Sequence, residues 1–325
     1  MYRRVLVFLF CTVFSLHANP PSSTLQQPKK IVYLVTDIRI PFWEIMARGI
    51  SERAFSLGYQ LEVLSSDNNP KKELELTLKA IREKADAIIV SPSTSSACVT
   101  ILKFAHKEGI PVVISDVGTE EGEYLSYISS QNKEGAYAIG KVLTEAMIAK
   151  GYEKATVGIV AIPQKRRNAQ ERTAGFMQAL REAGIKGADI KQQITWSEEE
   201  TYGYVSEMIQ KYPDLRAIWL QTSNSYKGAL RAIKDAAKTY EILLVTFDAE
   251  PEFLTLIPQG VLVGSAMQQP YLMGEEALDA VHRHFQNEEV AKHIALPILP
   301  VRAETIKQML PKIKRDVLGL GEERR

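Results

Sequence analysis

The chain has 325 residues, of which 45% are hydrophobic, 24% charged and 8% aromatic, and its formal net charge is +1. This profile excludes collagen-like, disordered and polytopic membrane proteins, and a charge so close to zero gives no field to attract a nucleic acid. Two cysteines, Cys11 and Cys98, are too few for a disulfide scaffold or a cysteine-based zinc module.

Arg3 and Arg4 precede an almost wholly apolar run over 5–16, and Ala18 stands before Asn19, Pro20 and Pro21. This three-part order predicts a secretory signal peptide over residues 1–18. The run is too short for a bilayer, which needs roughly 20 residues. A buried first helix or a short anchor is the competing reading. Loss of 1–18 removes two of the 40 basic residues and none of the 39 acidic ones, turning +1 into −1. It also leaves Cys98 as a lone thiol, which suits an oxidising compartment because it cannot mispair within the chain.

The rest of the chain alternates apolar runs with amphipathic stretches. The run at 31–36 (IVYLVT) predicts a buried strand. Trp43, Met46, Ile50, Ala54 and Leu57 recur at helical spacing and predict a helix over 42–57, closed by Gly58. Strands at 61–64, 87–90 and 111–115 alternate with helices at 71–84 and 94–108, the latter closed by Gly109. The rhythm then restarts with a strand at 155–161, a helix at 169–182 closed by Gly184, a strand at 192–196 and a helix at 198–211. A strand at 215–220, a helix at 224–240, strands at 242–247 and 261–266 and a helix at 271–287 complete it. Strands buried on both faces with helical crossovers mean parallel sheets, and two similar halves mean two α/β domains, each doubly wound.

Ligands of such sheets bind beyond the carboxyl ends of the strands. Those ends fall at 37–43, 91–95, 116–118, 163–167, 196, 222–224, 248 and 268–269. Two facing sets would form a cleft with the aromatics Phe42, Trp43 and Trp196 and the carboxylates Asp116 and Asp248. Ser91, Ser130 and Gln268 would add hydroxyls and an amide. No nucleophile-elbow, zinc-protease, P-loop or dinucleotide motif is present. His282 and His284, two apart on a predicted helix, point to different faces, so no metal or cofactor is expected. An acid–base pair of Asp116 and Asp248 stays open as an enzymatic reading, with nothing to supply an activated nucleophile beside it. Aromatic faces mixed with planar polar groups suit a sugar better: rings cover its C–H faces, and carboxylates and amides engage its hydroxyls.

Several segments carry a resemblance. Ile40-Pro41-Phe42-Trp43 follows the first strand and Ser66-Asp67-Asn68-Asn69-Pro70 the second. Ser91-Pro92, Ile110–Asp116 (IPVVISD) and Ile128–Asn132 (ISSQN) come next, then Glu171–Phe176 (ERTAGF), Gly228–Ile233 (GALRAI) and Thr246-Phe247-Asp248. In this order the chain resembles the type I periplasmic sugar-binding proteins, especially the ribose-binding-like group, over about residues 30–301. Repressors that share the domain begin with a DNA-binding helix-turn-helix, whereas here a predicted signal peptide stands in that place.

The resemblance implies two Rossmann-like lobes, 28–130 with 269–297 and 131–268 with 298–312, followed by a charged tail at 313–325. Three strands would cross between the lobes near Ser130, Gln268 and Pro297, forming a hinge that closes on the ligand. It further implies that Phe42 and Trp43 cover one sugar face and that Trp196 is the aromatic of the second lobe. Asp116 and Asp248 would be the carboxylates, Arg172 the forked donor, and Ser130 and Gln268 groups at the crossings. This chain departs from the pattern of ribose binders at Ile40, Ser91, Val117 and Thr222, where polar contacts are weakened or lost. The expected ligand is therefore smaller than ribose, less hydroxylated or differently oriented. Arg39 would favour a negatively charged ligand if turned inward, and is otherwise a solvated loop residue.

Plainer readings stand beside these. Trp43 and Trp196 could be core residues, Asp116 and Asp248 helix caps or turn formers, and Arg172 a partner of a surface acid. The run Lys165-Arg166-Arg167 is read as a solvated loop, and Cys98 as a small buried helix residue. The reading that follows is an exported solute-binding protein, periplasmic, that carries a sugar or polyol to an ABC permease without altering it. The alternative is a sensory component that signals to a membrane histidine kinase or chemoreceptor.

Overall fold

The computed structural model describes residues 28–321, and the expected signal peptide lies outside them. β1 (Lys30–Val35) is the centre from which the first sheet grows: five of its six residues are at most 1% exposed, as befits an apolar run covered on both faces. Its chain continues through α1 (Pro41–Ser56), β2 (Gln60–Ser65), α2 (Pro70–Arg82), β3 (Ala87–Ser91), α3 (Ser95–Lys107), β4 (Val112–Ser115) and β5 (Ser126–Ser130). Local chemistry sets several boundaries. Pro41 and Pro70 open α1 and α2, the Asn69 side chain caps α2, and Thr94 caps α3.

The second unit repeats the plan. It contains α4 (Asn132–Ala149), β6 (Thr156–Ala161), α5 (Arg167–Glu182), β7 (Lys186–Gln192) and α6 (Glu198–Lys211). β8 (Leu215–Leu220), α7 (Tyr226–Asp235), β9 (Leu243–Phe247), α8 (Phe253–Leu256) and β10 (Gly264–Met267) follow. The chain then returns to the first unit as α9 (Pro270–Phe285) and β11 (His293–Leu296), and goes back to the second as β12 (Leu299–Arg302) and α10 (Ile306–Lys312). It thus crosses between the units three times, after β5, after β10 and after β11.

The sheet orders are β2-β1-β3-β4-β5-β11 and β7-β6-β8-β9-β10-β12. All recorded pairings are parallel except β10 with β12. In each sheet the order reverses beside the first strand, so the loops after β1 and β3, and after β6 and β8, diverge and open a crevice. Two doubly wound α/β lobes with facing crevices are the result. The outermost strands β2 and β7 are only partly covered, and their polar side chains meet solvent.

Three sequence expectations are corrected. The strand expected at 192–196 lies earlier, at β7, because the amides of Ile194, Thr195 and Trp196 turn toward the Glu200 carboxylate at 2.7, 2.9 and 3.0 Å instead of entering the ladder. The expected tail at 313–325 is not a tail over its described part: 313–317 form a π-helical turn, and Ile313, Val317 and Leu318 are buried in the core of the second lobe. The run 165–167 is not uniformly solvated, since Arg166 is 2% exposed.

Close helix pairs hold each lobe together. A Cβ added at Gly175 of α5 would lie 2.0 Å from the Lys133 carbonyl oxygen of α4, and one at Gly49 of α1 would lie 2.3 Å from the Tyr271 carbonyl oxygen of α9. Gly175→Ala is expected to destabilise the protein by about 3 kcal/mol, because backbone on both sides would have to move. Urea unfolding measures this, and a midpoint unchanged from the parent would show that α4 and α5 separate freely.

Candidate functional site

Both crevices supply side chains to one interlobe cleft. From the first lobe, the turn after β1 places Phe42 and Trp43 at the start of α1, and the end of β4 places Asp116. From the second lobe, the turn after β6 places Arg166 and Asn168, and the first turns of α5 place Arg172. Trp196 follows β7, Thr222 follows β8, Asp248 ends β9 and Gln268 ends β10. All ten line a single narrow cavity of about 30 Å³, together with Ile40 and Ile162. Outside it lies a mouth of about 390 Å³ that shares Trp43, Arg166 and Trp196 with the inner cavity.

Asp116, Trp196 and Asp248 have φ of +71°, +63° and +66°. A left-handed backbone is tolerable for aspartate and unusual for tryptophan, so each must be held by its surroundings. At Trp196 the three amide bonds to Glu200 do this, helped by Asn224, whose side chain donates to the Trp196 carbonyl at 2.9 Å. The effect is to swing the strand-end side chains into the cleft.

Arg166 crosses from the second lobe to the first. Its Nε donates to the Ser93 carbonyl at 3.1 Å and its Nη2 to Asn68 Oδ1 at 3.2 Å. The guanidinium lies 5.7 Å from the Trp43 ring centre and 5.0 Å from that of Trp196, so it rests between two aromatic faces. Asn168 makes the third bond across the cleft, from Nδ2 to Asp116 Oδ1 at 3.1 Å. Ser93 is fixed in turn by Glu73, a buried carboxylate that accepts from its amide and its hydroxyl, both at 2.8 Å. Burial raises the Glu73 pKa to about 7, against the opposing pull of those bonds and of Arg166.

Deeper in, Arg172 lies 3.9 Å from the Phe247 ring centre and 3.9 Å from Asp248 Oδ2. It donates to Asn132 Oδ1 and to the Gln221 carbonyl, both at 2.8 Å. Gln268 donates to Asp248 Oδ1 at 2.6 Å. Two carboxylates and two guanidinium groups thus share the cavity. Desolvation pushes the Asp116 pKa up and that of Asp248 to about 6, while Arg172 pulls both down. Desolvation also lowers the arginines, Arg166 to about 10, against the stabilising field of the carboxylates. Three buried polar atoms of the lining have no hydrogen-bond partner: Trp43 Nε1, Asn168 Oδ1 and Gln268 Oε1.

Two expected residues stand elsewhere. Ser91 is fully buried and its hydroxyl meets Tyr33 OH at 2.9 Å, so it points under α1 and not into the cleft. The Ser130 hydroxyl points to Met273 Sδ at 3.6 Å, inside the first lobe. Arg39 is at the mouth with its side chain 71% exposed, paired with Asp37 at 2.7 Å, and adds no charge to the inner cavity. Sequence reasoning does not single out Arg166 and Asn168, which both line the cavity. The strand-end rule does reach 163–167, but three successive basic residues read as surface, and Asn168 falls one position beyond the selected span.

Asp248 carries a testable signature. Its pKa is higher in the folded chain than in the unfolded chain, so the native state binds the extra proton and stability falls as pH rises from about 4 to about 6. The contribution is about 2–3 kcal/mol, and Asp248→Asn is expected to flatten that part of the stability–pH curve. Unfolding series at stepped pH check it; an identical slope in the variant would mean that Asp248 titrates normally.

Residues 31–289 match the family model described as periplasmic binding protein domain. The ribose import binding protein of Escherichia coli is 28% identical over 268 residues, covering 80% of this chain and 86% of that protein. The D-apiose import binding protein of Paraburkholderia graminis is 26% identical over 272 residues, covering 83% and 86%. The fold is shared with a carbohydrate transporter solute binding protein from Agrobacterium radiobacter, with a TM-score of 0.82, 20% identity and coverage of 89% and 99%. An ABC transporter solute binding protein from Actinobacillus succinogenes has a TM-score of 0.80, 22% identity and coverage of 86% and 99%. With its two crevices facing one cleft and four-fifths of its sequence matched, the chain belongs to the type I periplasmic binding protein family.

Proposed function

We propose that this chain is an exported binding protein that captures a small, neutral, polyhydroxylated molecule of the sugar or polyol class between its lobes and presents the closed form to an ABC importer. The observation that carries this reading is the balance of the inner cavity. Asp116 and Asp248 are matched by Arg166 and Arg172, so an added charge on the ligand would be left unpaired at a cost of several kcal/mol. Hydroxyl groups, by contrast, can both donate and accept. They suit the free carbonyl oxygens of Asn168 and Gln268 and the free N–H of Trp43. Trp43, Phe42 and Trp196 supply the apolar faces. The sugar-import names of the curated relatives point the same way.

Ser91 and Ser130 act in this reading as supports behind the lining. Thr222 is tied to Asn224 Oδ1 at 2.8 Å and offers its lone pairs. Arg166 occupies the space between the indoles, which favours a ligand smaller than a ring stacked between two aromatic faces. The reading includes no chemical step on the ligand: each carboxylate is engaged by an amide, Asp116 by Asn168 and Asp248 by Gln268.

The test is native mass spectrometry of the secreted protein before and after unfolding and refolding, followed by thermal shifts. The panel contains D-ribose, D-apiose, D-allose, D-arabinose, erythritol and the corresponding sugar acids. A retained neutral polyol mass, with stabilisation by a neutral member and none by the acids, is the expected result. Stabilisation by acids alone would overturn the reading. Arg172→Ala and Asp248→Ala are each expected to weaken binding by about 2 kcal/mol, since each strands a buried polar partner. Calorimetry returning the parent affinity for both would remove them from the site.

A further inference from the structure

Residues 313–320 are held by both lobes. On one side Ile313, Val317 and Leu318 are built into the core of the second lobe, beside Phe253, Ile257 and Ile306. On the other side the segment meets α1 and α9 of the first lobe. Arg48 of α1 donates Nη1 to the Gly319 carbonyl at 3.1 Å and Nη2 to the Leu318 carbonyl at 2.9 Å. Arg315 donates to Glu275 of α9 at 2.8 Å. Gly319 has φ +59°, and a Cβ there would lie 2.6 Å from the Tyr271 ring, so the backbone lies flat against α9.

The position of these contacts gives them leverage. Glu275 is the sixth residue of α9, about 8 Å along the helix from the crossing at 268–269. A contact displaced from the hinge strands resists rotation about them, which the strands themselves do only weakly. The segment also reaches the ligand cleft: Val317 closes a small cavity together with Phe42, Ile45, Asp248 and Gln268. Arginine is suited to the task, because its fork satisfies two successive terminal carbonyls that would otherwise lack partners.

We propose that residues 313–320 form a strap, a fourth and non-covalent crossing between the lobes, that favours the closed pose and walls one flank of the cleft. This goes beyond the ligand-binding reading and does not depend on which molecule is bound. The ion pair of Arg315 and Glu275 is the point at which the strap can be released without touching the core.

The experiment uses the ligand-free protein carrying Cys11→Ser, with Lys71→Cys and Lys227→Cys labelled for single-molecule energy transfer across the cleft; Cys98 is 0% exposed and does not label. Arg315→Glu and Glu275→Arg are each expected to raise the open-to-closed ratio about threefold, the scale of one partly exposed ion pair. The double exchange Arg315→Glu with Glu275→Arg is expected to restore the parent distribution. Should a single variant fail to fold, Arg48→Gln carries the same test through the carbonyl contacts. Parent-like distributions in the single variants, or a double exchange as open as either one alone, would overturn the strap.

Discussion

Moving a guanidinium from water into a closed cleft costs several kcal/mol, and the cleft of this protein does so twice, with Arg166 and Arg172. Most of the architecture around the site can be understood as offsetting that cost. Arg166 finds in the opposite lobe its acceptors, the Ser93 carbonyl and Asn68, and a second aromatic face, Trp43, beside the Trp196 of its own lobe. Ser93 can serve it because Glu73 holds the loop from behind, and Trp196 can serve it because Glu200 bends the chain after β7. The carboxylates need the arginines in the same way, since neither Asp116 nor Asp248 would remain ionised easily in that cavity alone. Charge balance and the apposition of the two lobes are two aspects of one electrostatic requirement.

The two lobes meet that requirement with one plan used twice. Asp116 and Asp248 stand at the ends of the fourth strands of their respective first five, both left-handed and both turned inward. The turns after β1 and β6 are equivalent in topology but opposite in chemistry, one giving Phe42 and Trp43, the other Arg166 and Asn168. Arg166 and Trp43 therefore reach each other from opposite sides of the cleft.

The sequence made the architecture readable where strands are continuous apolar runs, as in β1, β3 and β8, and where proline or glycine marks a helix end. It was less readable where structure serves contact. The buried stripe of α4 (Ala136, Ile139, Leu143 and Met147) is diluted by Gly135 and Gly140, which are spent on close approach of Ile298 and α5. β7 is a polar edge strand whose pattern gives no hydrophobic signal. The carboxylates and both tryptophans follow from the strand-end rule, which depends only on topology, whereas Arg172 follows only from the family resemblance. Arg166 falls within a strand-end span but reads as surface, since its burial comes from the opposing lobe and nothing in the local sequence Lys165-Arg166-Arg167 marks which of the three turns inward. Ser91 and Ser130 were assigned by position, but one side-chain torsion decides whether a serine faces a cleft or a core.

The charged outer strands have a consequence for behaviour in a crowded compartment. β2 ends the first sheet with Glu62 paired to Lys30 at 2.8 Å and to Lys79 at 2.5 Å, and β7 ends the second with Lys191 paired to Glu207 at 2.7 Å. A neighbouring molecule adding a strand at either edge would have to strip these pairs and seat its own side chains against fixed charges. Neither β2 nor β7 therefore offers a template for strand addition, and because the protecting pairs lie within one lobe this does not depend on the pose of the other.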